Sequence, residues 1–146
     1  MCYIRQTSNG VKKFEILEHK ADLKIRAFGK DKKELFENAM IGMQSALRPK
    51  IKDKKLKIKK KIKIRSDDLS LLLVDFLSEI NYLNEINKEV YNKIKFTKFS
   101  DTELEGEISG NKVERFGLII KGVTYHNLDI YQKEDSSWQA TVLFDI

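Results

Sequence analysis

The chain has 146 residues, of which 41% are hydrophobic and 34% are charged, and its formal net charge is +6. This composition predicts one folded domain over residues 1–146 with a hydrophobic core, and it excludes an intrinsically disordered chain. Cys2 is the only cysteine, which excludes an intramolecular disulfide and a cysteine-based zinc site. The sequence has neither a run of about 18 apolar residues nor the apolar core of a signal peptide, so we expect a cytoplasmic protein without a membrane partner.

The first predicted elements are two strands that meet at a histidine and an aspartate. Residues 1–10 are weakly patterned and are expected to form an irregular or edge segment. Strands are predicted over 13–18 and 22–28, the second because apolar and charged residues alternate along it. Asp22 therefore begins a strand on its polar side, close to His19. A charged residue at this position either binds a ligand or stabilises a turn.

Two amphipathic helices are predicted. The first begins at Asp31, which has capping-box spacing to Glu34, and ends at Pro49. Its apolar stripe consists of Leu35, Phe36, Ala39, Met40, Met43, Ala46 and Leu47. The second helix is capped by Asp67 or Asp68. Its apolar stripe consists of Leu69, Leu72, Leu73, Phe76, Leu77, Ile80 and Leu83.

Between the helices lies a strongly basic segment. Residues 50–65 contain ten basic residues and one acidic residue, a net charge of +9, which leaves −3 for the rest of the chain. Strict alternation over 54–65 predicts a strand whose apolar face carries Leu56, Ile58, Ile62 and Ile64. Lys60 interrupts that apolar row, which indicates a sheet edge or a bulge. The opposite face either protects an edge strand against aggregation or contacts RNA phosphates or a partner protein, with Lys57, Lys59, Lys61 and Lys63 as the candidate contacts.

The C-terminal part of the chain is predicted to consist of strands. The candidate strands are 90–99, 102–108, 117–125, 128–133 and 138–144. Asp135-Ser136-Ser137 is typical of a hairpin turn. Consecutive strands combined with two helices predict an α+β domain, in which a mostly antiparallel or mixed sheet packs against the two amphipathic helices.

The sequence contains few residues suited to catalysis. It lacks a glycine-rich phosphate loop, a Gly-x-Ser-x-Gly motif and a His-Glu-x-x-His motif, so we do not predict an enzyme. One constellation could bind a ligand: Asp145 and the α-carboxylate of Ile146 are adjacent oxygen donors. If Asp22 lies beside them, the three carboxylates would favour a hard divalent cation such as calcium or magnesium. The residues alone do not establish that proximity.

Five segments, in this order, resemble the archease family. Phe14–Gly29 resembles the opening motif of the family, with its histidine and aspartate at His19 and Asp22. The other four are Glu34–Ala39, Asp68–Glu79, Lys121–His126 and Phe144–Ile146, which resemble the two family helices, a Lys-Ala-Val-Thr-Tyr-His motif and a closing Phe-Asp-Ile.

The resemblance implies an accessory protein of an RtcB-type tRNA-splicing ligase, an enzyme that joins RNA ends using GTP and a divalent metal. This chain would promote guanylylation and turnover of the ligase, and it would meet RNA indirectly through that partner. The resemblance also implies a divalent metal, expected to be calcium, bound by Asp22, Asp145 and Ile146. His19, Glu18 and His126 are then expected to contact these ligands rather than the metal.

Three positions depart from the family pattern, and alternative functions stay open. Lys20 replaces a threonine, which could weaken metal binding, and Asn127 replaces a glycine. Residues 110–116 lack the histidine that many members carry in a longer loop. The alternatives are an RNA-binding module that uses 50–65, a metal-dependent hydrolase and a chaperone-like protein.

Overall fold

The computed structural model describes the backbone of residues 2–8, 11–19 and 21–146 and the side chains of residues 11–18 and 21–146. The described residues form nine strands and two helices. Their bounds are β1 Cys2–Ser8, β2 Val11–His19, β3 Asp22–Gly29, α1 Lys32–Ala46, β4 Pro49–Ile51, β5 Ile58–Arg65, α2 Leu69–Asn87, β6 Glu89–Phe99, β7 Glu103–Phe116, β8 Gly122–Gln132 and β9 Trp138–Asp145. The architecture is α+β, as predicted.

The strands form two antiparallel sheets. The first has the order β1-β2-β3-β9-β8, so β1 is an edge strand. The second is centred on β7, which pairs with β6 along one side and with β5 and then β4 along the other. The predicted segment 1–10 thus contains an edge strand, while residues 1, 9 and 10 lie outside the described residues.

Both helices pack against both sheets. Helix α1 contacts β2, β3 and β9 of the first sheet and β6 of the second, whereas α2 contacts β8, β6 and β5. Asp31 caps α1 by accepting from the Glu34 N–H at 2.8 Å, and Asp68 caps α2 by accepting from the Leu71 N–H at 2.8 Å. The seven predicted apolar residues of α1 are all buried, which confirms its stripe. Within the described part of the chain, no helix is long and apolar enough to cross a bilayer.

A buried polar network joins the helices to the second sheet. The side chains of Gln44 on α1 and Asn84 on α2 exchange two hydrogen bonds, of 2.9 Å and 2.7 Å. Gln44 also accepts from the Tyr91 N–H at 2.8 Å, and Asn84 donates to the Glu89 carbonyl at 2.8 Å. Because each buried amide group is satisfied, the network fixes how α1, α2 and the start of β6 meet.

The strand boundaries differ from the prediction in three places. The basic strand begins only at Ile58, so Leu56 lies outside it and is 54% exposed. Strand β7 continues to Phe116, since its last residues, from Val113 onwards, pair with the short, unpredicted strand β4.

The third difference lies in β8. The two strands predicted over 117–125 and 128–133 are one strand, interrupted by a register shift between Thr124 and Asp129. Asn127 takes a left-handed conformation there, with φ of 58°. The predicted turn after β8 is confirmed: the Ser137 N–H donates to the Asp135 carboxylate at 2.9 Å.

Candidate functional site

The two predicted aspartate ligands lie opposite each other on neighbouring strands. Strands β3 and β9 pair so that Asp22 faces Asp145, and Gly122 of β8 is the partner of Asp145 on its other side. Their sequence neighbours Leu23 and Phe144 are fully buried on the core side. Because side chains alternate along a strand, both aspartates project from the outer face of the sheet. We call Asp22, Asp145 and the last residue, Ile146, the acidic corner.

Main-chain hydrogen bonds hold the last residue in this corner. The Ile146 N–H donates to the Ala21 carbonyl at 3.3 Å, and the Lys121 N–H donates to the Asp145 carbonyl at 2.7 Å. The Ile146 side chain packs against the hydrophobic core. These contacts place residue 146 next to the start of β3, beside the two aspartates.

The donors of the acidic corner suit a hard divalent cation. Among the described side chains, no lysine or arginine forms an ion pair with Asp22 or Asp145. The same residues contain no group of three or more His, Cys, Asp and Glu side chains that could hold a metal. Asp22 and Asp145 would offer a metal oxygen ligands, the donors that calcium and magnesium prefer.

The other three residues predicted for this site are placed differently. Glu18 is the register partner of the buried Leu23, and its carboxylate accepts from Arg48 at 2.6 Å. The prediction that Glu18 contacts the acidic corner is wrong, because the Glu18 side chain and the Asp22 side chain project from opposite faces of the sheet. His126 is exposed in the irregular part of β8, four residues beyond Gly122, the register partner of Asp145. His19 pairs in register with Asp22, but its side chain lies outside the described residues.

A second charged surface covers the outer face of the other sheet. Cations from β5 and β6 flank glutamates of the central strand β7, and we call this surface the lysine face. Its cations are Lys59, Lys61, Lys63 and Arg65 on β5 and Lys93, Lys95 and Lys98 on β6. The predicted contact residue Lys57 precedes β5 and is not part of it.

Lys60 interrupts the apolar row because it reaches a buried carboxylate. Glu89 is only 3% exposed, and its side chain lies 3.6 Å from Lys60 and 3.2 Å from Lys112. It also accepts from the Tyr91 hydroxyl at 2.6 Å. Burial, together with the Glu89 hydrogen bond and charge, raises the pKa of Tyr91. The sequence analysis missed Glu89, although Lys60 at an inward-facing position was a signal for a buried counter-charge.

These features define a class of protein: an α+β fold in which two paired strands set two aspartates opposite each other at the corner of a sheet. The archease protein family model matches residues 14–146. Protein archease from Methanosarcina mazei is 37% identical over 145 residues, covering 92% of this chain and 97% of the relative. The Methanosarcina barkeri protein is 35% identical with the same coverage. The chain therefore belongs to the archease family, as the sequence motifs predicted.

Solved structures agree with the fold. The solution structure of protein 1598 from Methanobacterium thermoautotrophicum superposes with a TM-score of 0.69 at 28% identity, covering 91% of this chain and 98% of that one. The crystal structure of an archease from Thermotoga maritima, described as a possible chaperone, gives a TM-score of 0.65 at 21% identity and covers 89% and 94% of the two chains.

Proposed function

We propose that this chain is an accessory protein that activates an RtcB-type RNA ligase in tRNA splicing or RNA repair. It would promote GTP-dependent guanylylation of the ligase and allow multiple turnover. The observation that carries the proposal is the register that sets Asp22 opposite Asp145, with Ile146 fixed beside them. Membership of the archease family supports the same function.

In this proposal the acidic corner holds a divalent metal, for which calcium is the first candidate. Asp22, Asp145 and the Ile146 carboxylate would be its ligands, and the bound ion would supply positive charge close to the phosphates of the ligase reaction. Asp145 is exposed, whereas Asp22 and Ile146 are half-buried. The two half-buried groups would fix the ion to this chain, and the exposed side would face the partner.

The test is guanylylation of the cognate ligase at limiting ligase concentration. We expect the native chain to stimulate labelling of the ligase by GTP and Asp145→Ala to lose at least tenfold of that stimulation. Asp129→Ala is the matched control. Asp129 pairs with Thr141, which lies four residues before Asp145 on β9, so both aspartates lie on the same face of one sheet. The control should stimulate as well as the native chain.

Thermal unfolding would first establish that both variants are folded. A folded native chain that does not stimulate its cognate ligase would overturn the proposed partner. Equal stimulation by the native chain and Asp145→Ala would retain the partner and reject the role of the acidic corner.

A chaperone-like activity is the second candidate, since the similar Thermotoga protein is described as a possible chaperone. Exposed apolar side chains that could contact unfolded chains include Tyr82 and Ile86 on α2 and Ile119, which are 56%, 59% and 63% exposed. Suppression of aggregation of a denatured test protein that is lost in Ile86→Ser but retained in Asp145→Ala would favour this candidate.

A further inference from the structure

The lysine face is built from four cross-strand rungs. In the register of the sheet, Ser109, Glu107 and Glu105 of β7 each occupy the middle of a rung, and Glu103 ends the fourth rung, which has a partner on β5 alone. Their β5 partners are Lys59, Lys61, Lys63 and Arg65. On β6, Lys93 is the partner of Ser109, Lys95 of Glu107 and Lys98 of Glu105. Cations thus form two parallel rows, with the acidic residues confined to the row between them.

The three glutamates contact four of the seven cations but balance only three of the seven positive charges. Glu103 lies 3.4 Å from both Arg65 and Lys98, and Glu105 lies 3.5 Å from Lys63. Glu107 approaches Lys59 only to 4.0 Å. Seven cations against three carboxylates leave this face with a charge of +4, most of the net +6 of the chain.

The rung of Ser109 has two cations and no carboxylate of its own. Lys59 and Lys93 flank the serine, and both are exposed. An anion placed above Ser109 would meet two ammonium groups without an opposing charge in the same rung. Lys61 and Lys95, in the next rung, line a groove across the sheet together with Glu107.

The spacing of the rows suits a linear polyanion. Alternate residues of a strand are about 6.6 Å apart, and rows two strands apart are separated by about 9.6 Å. A ladder of cations with this repeat resembles the separation of successive phosphates along a nucleic acid strand. Lysine binds phosphate as a point charge, which tolerates variation in the position of the backbone.

We infer that the lysine face binds the phosphate backbone of single-stranded RNA, without reading its sequence. Phosphate contacts from lysine and arginine give affinity but no base recognition. The outward positions of the four rungs carry no aromatic residue on which a base could stack. A protein partner is a poorer fit, because the core of a protein interface is depleted of charge and enriched in aromatic residues.

This inference does not rest on the proposed ligase partner, since the isolated chain should bind RNA. The lysine face and the acidic corner also belong to different sheets. Binding of RNA and stimulation of the ligase should therefore respond to different substitutions.

The test is fluorescence anisotropy of a labelled single-stranded RNA of mixed sequence, titrated with the full chain at several salt concentrations. We expect affinity to fall steeply with salt and to differ little between RNAs of different sequence. The variant Lys59→Ala/Lys61→Ala/Lys63→Ala should weaken binding by about tenfold or more at low salt and reduce the log–log salt slope by about 2.

The matched control removes the same charge from the preceding loop. Lys52→Ala/Lys54→Ala/Lys55→Ala changes three exposed lysines outside β5 and should retain most of the affinity and the slope. A further variant with arginine at 59, 61 and 63 keeps the charge and should bind as well as the native chain. Circular dichroism checks that each variant is folded.

Three results would overturn the inference. The first is no binding of RNA by the native chain at low salt. The second is equal loss in the two triple-alanine variants, which would mean that diffuse charge rather than this face binds RNA. The third is a β5 variant that binds RNA normally but loses affinity for a protein partner such as the ligase, which would assign the face to that protein.

Discussion

The acidic corner and the lysine face hold charge in opposite ways. At the corner, two carboxylates lie directly opposite each other, and no cation among the described side chains pairs with Asp22 or Asp145. On the lysine face, every glutamate of the central strand has a cation beside it, from Arg65 at Glu103 to Lys59 at Glu107. Opposite charges across strands stabilise a sheet, whereas like charges directly opposite destabilise it.

This difference separates a stabilising arrangement from a costly one. The paired charges of the lysine face stabilise the sheet even without a ligand, and only their excess is available to a polyanion. At the acidic corner the two like charges contribute no such stabilisation among the described side chains, as expected if the corner binds the cation that we propose. The comparison can be tested by substitutions that affect one region and leave its counterpart unchanged.

The largest effect is expected from the backbone that supports the lysine face. A Cβ at Gly110 of β7 would lie 1.8 Å from the Val90 carbonyl oxygen, whereas a Cβ at Gly122 beside the acidic corner would meet no atom within 4 Å. Gly110→Ala must push β6 away from β7 and should lower the free energy of unfolding by about 3 kcal/mol. Gly122→Ala should change it by less than about 0.5 kcal/mol. Urea unfolding of both variants measures this difference, and equal stabilities would contradict the close approach of β6.

The next effect concerns the buried carboxylate behind the lysine face. In Glu89→Gln, Lys60 and Lys112 lose their shared carboxylate partner. Their ammonium groups are only partly exposed, so water replaces that partner incompletely. Removing one partner of a buried ion pair is costly, but water reaches both lysines, so we expect a loss of about 2 kcal/mol.

Glu105→Gln is the matched control for the buried carboxylate. Its pair with Lys63 joins an exposed lysine to a half-buried carboxylate and should contribute less than about 0.5 kcal/mol. Denaturant unfolding of the two glutamine variants gives the comparison, and an equal loss in both would mean that burial of Glu89 does not determine its contribution.

A smaller effect of opposite sign is expected at the acidic corner. Asp22→Asn removes the repulsion with Asp145, so it should raise the stability of the chelator-treated protein by about 0.5 kcal/mol. The same change should abolish any rise in melting temperature on adding calcium, because one ligand is lost. Thermal unfolding with chelator and with calcium measures both quantities. Asp129→Asn is the control, and a variant at Asp22 that keeps the calcium-dependent rise would contradict the proposed metal ligands.

Local patterns predicted the helices and most strands, because their information lies in consecutive residues. The apolar stripe of α1 and the caps at Asp31 and Asp68 are of this kind. The pairing of Asp22 with Asp145 depends instead on which strands become neighbours, and only the family resemblance suggested it. The short strand β4 and the buried Glu89 were missed because each depends on a distant partner: β7 in one case, Lys60 and Lys112 in the other.

The smallest expected effect is the titration of one carboxyl on the lysine face. Partial burial raises the pKa of Glu103, but hydrogen bonds and charges from Lys98 and Arg65 outweigh it, so the pKa lies below the ordinary value of 4.5. The ionised form therefore contributes stability that is present above the pKa of the unfolded chain and is lost as pH falls through the pKa of the folded chain. Lys98→Ala should raise the pKa of Glu103 towards its ordinary value, as measured by an NMR pH titration of this carboxyl. Lys50→Ala, which removes a cation paired with Glu114, should leave it unchanged. An unchanged pKa in Lys98→Ala would mean that the flanking cations do not stabilise the ionised glutamates. The lysine face would then not differ in this respect from the acidic corner.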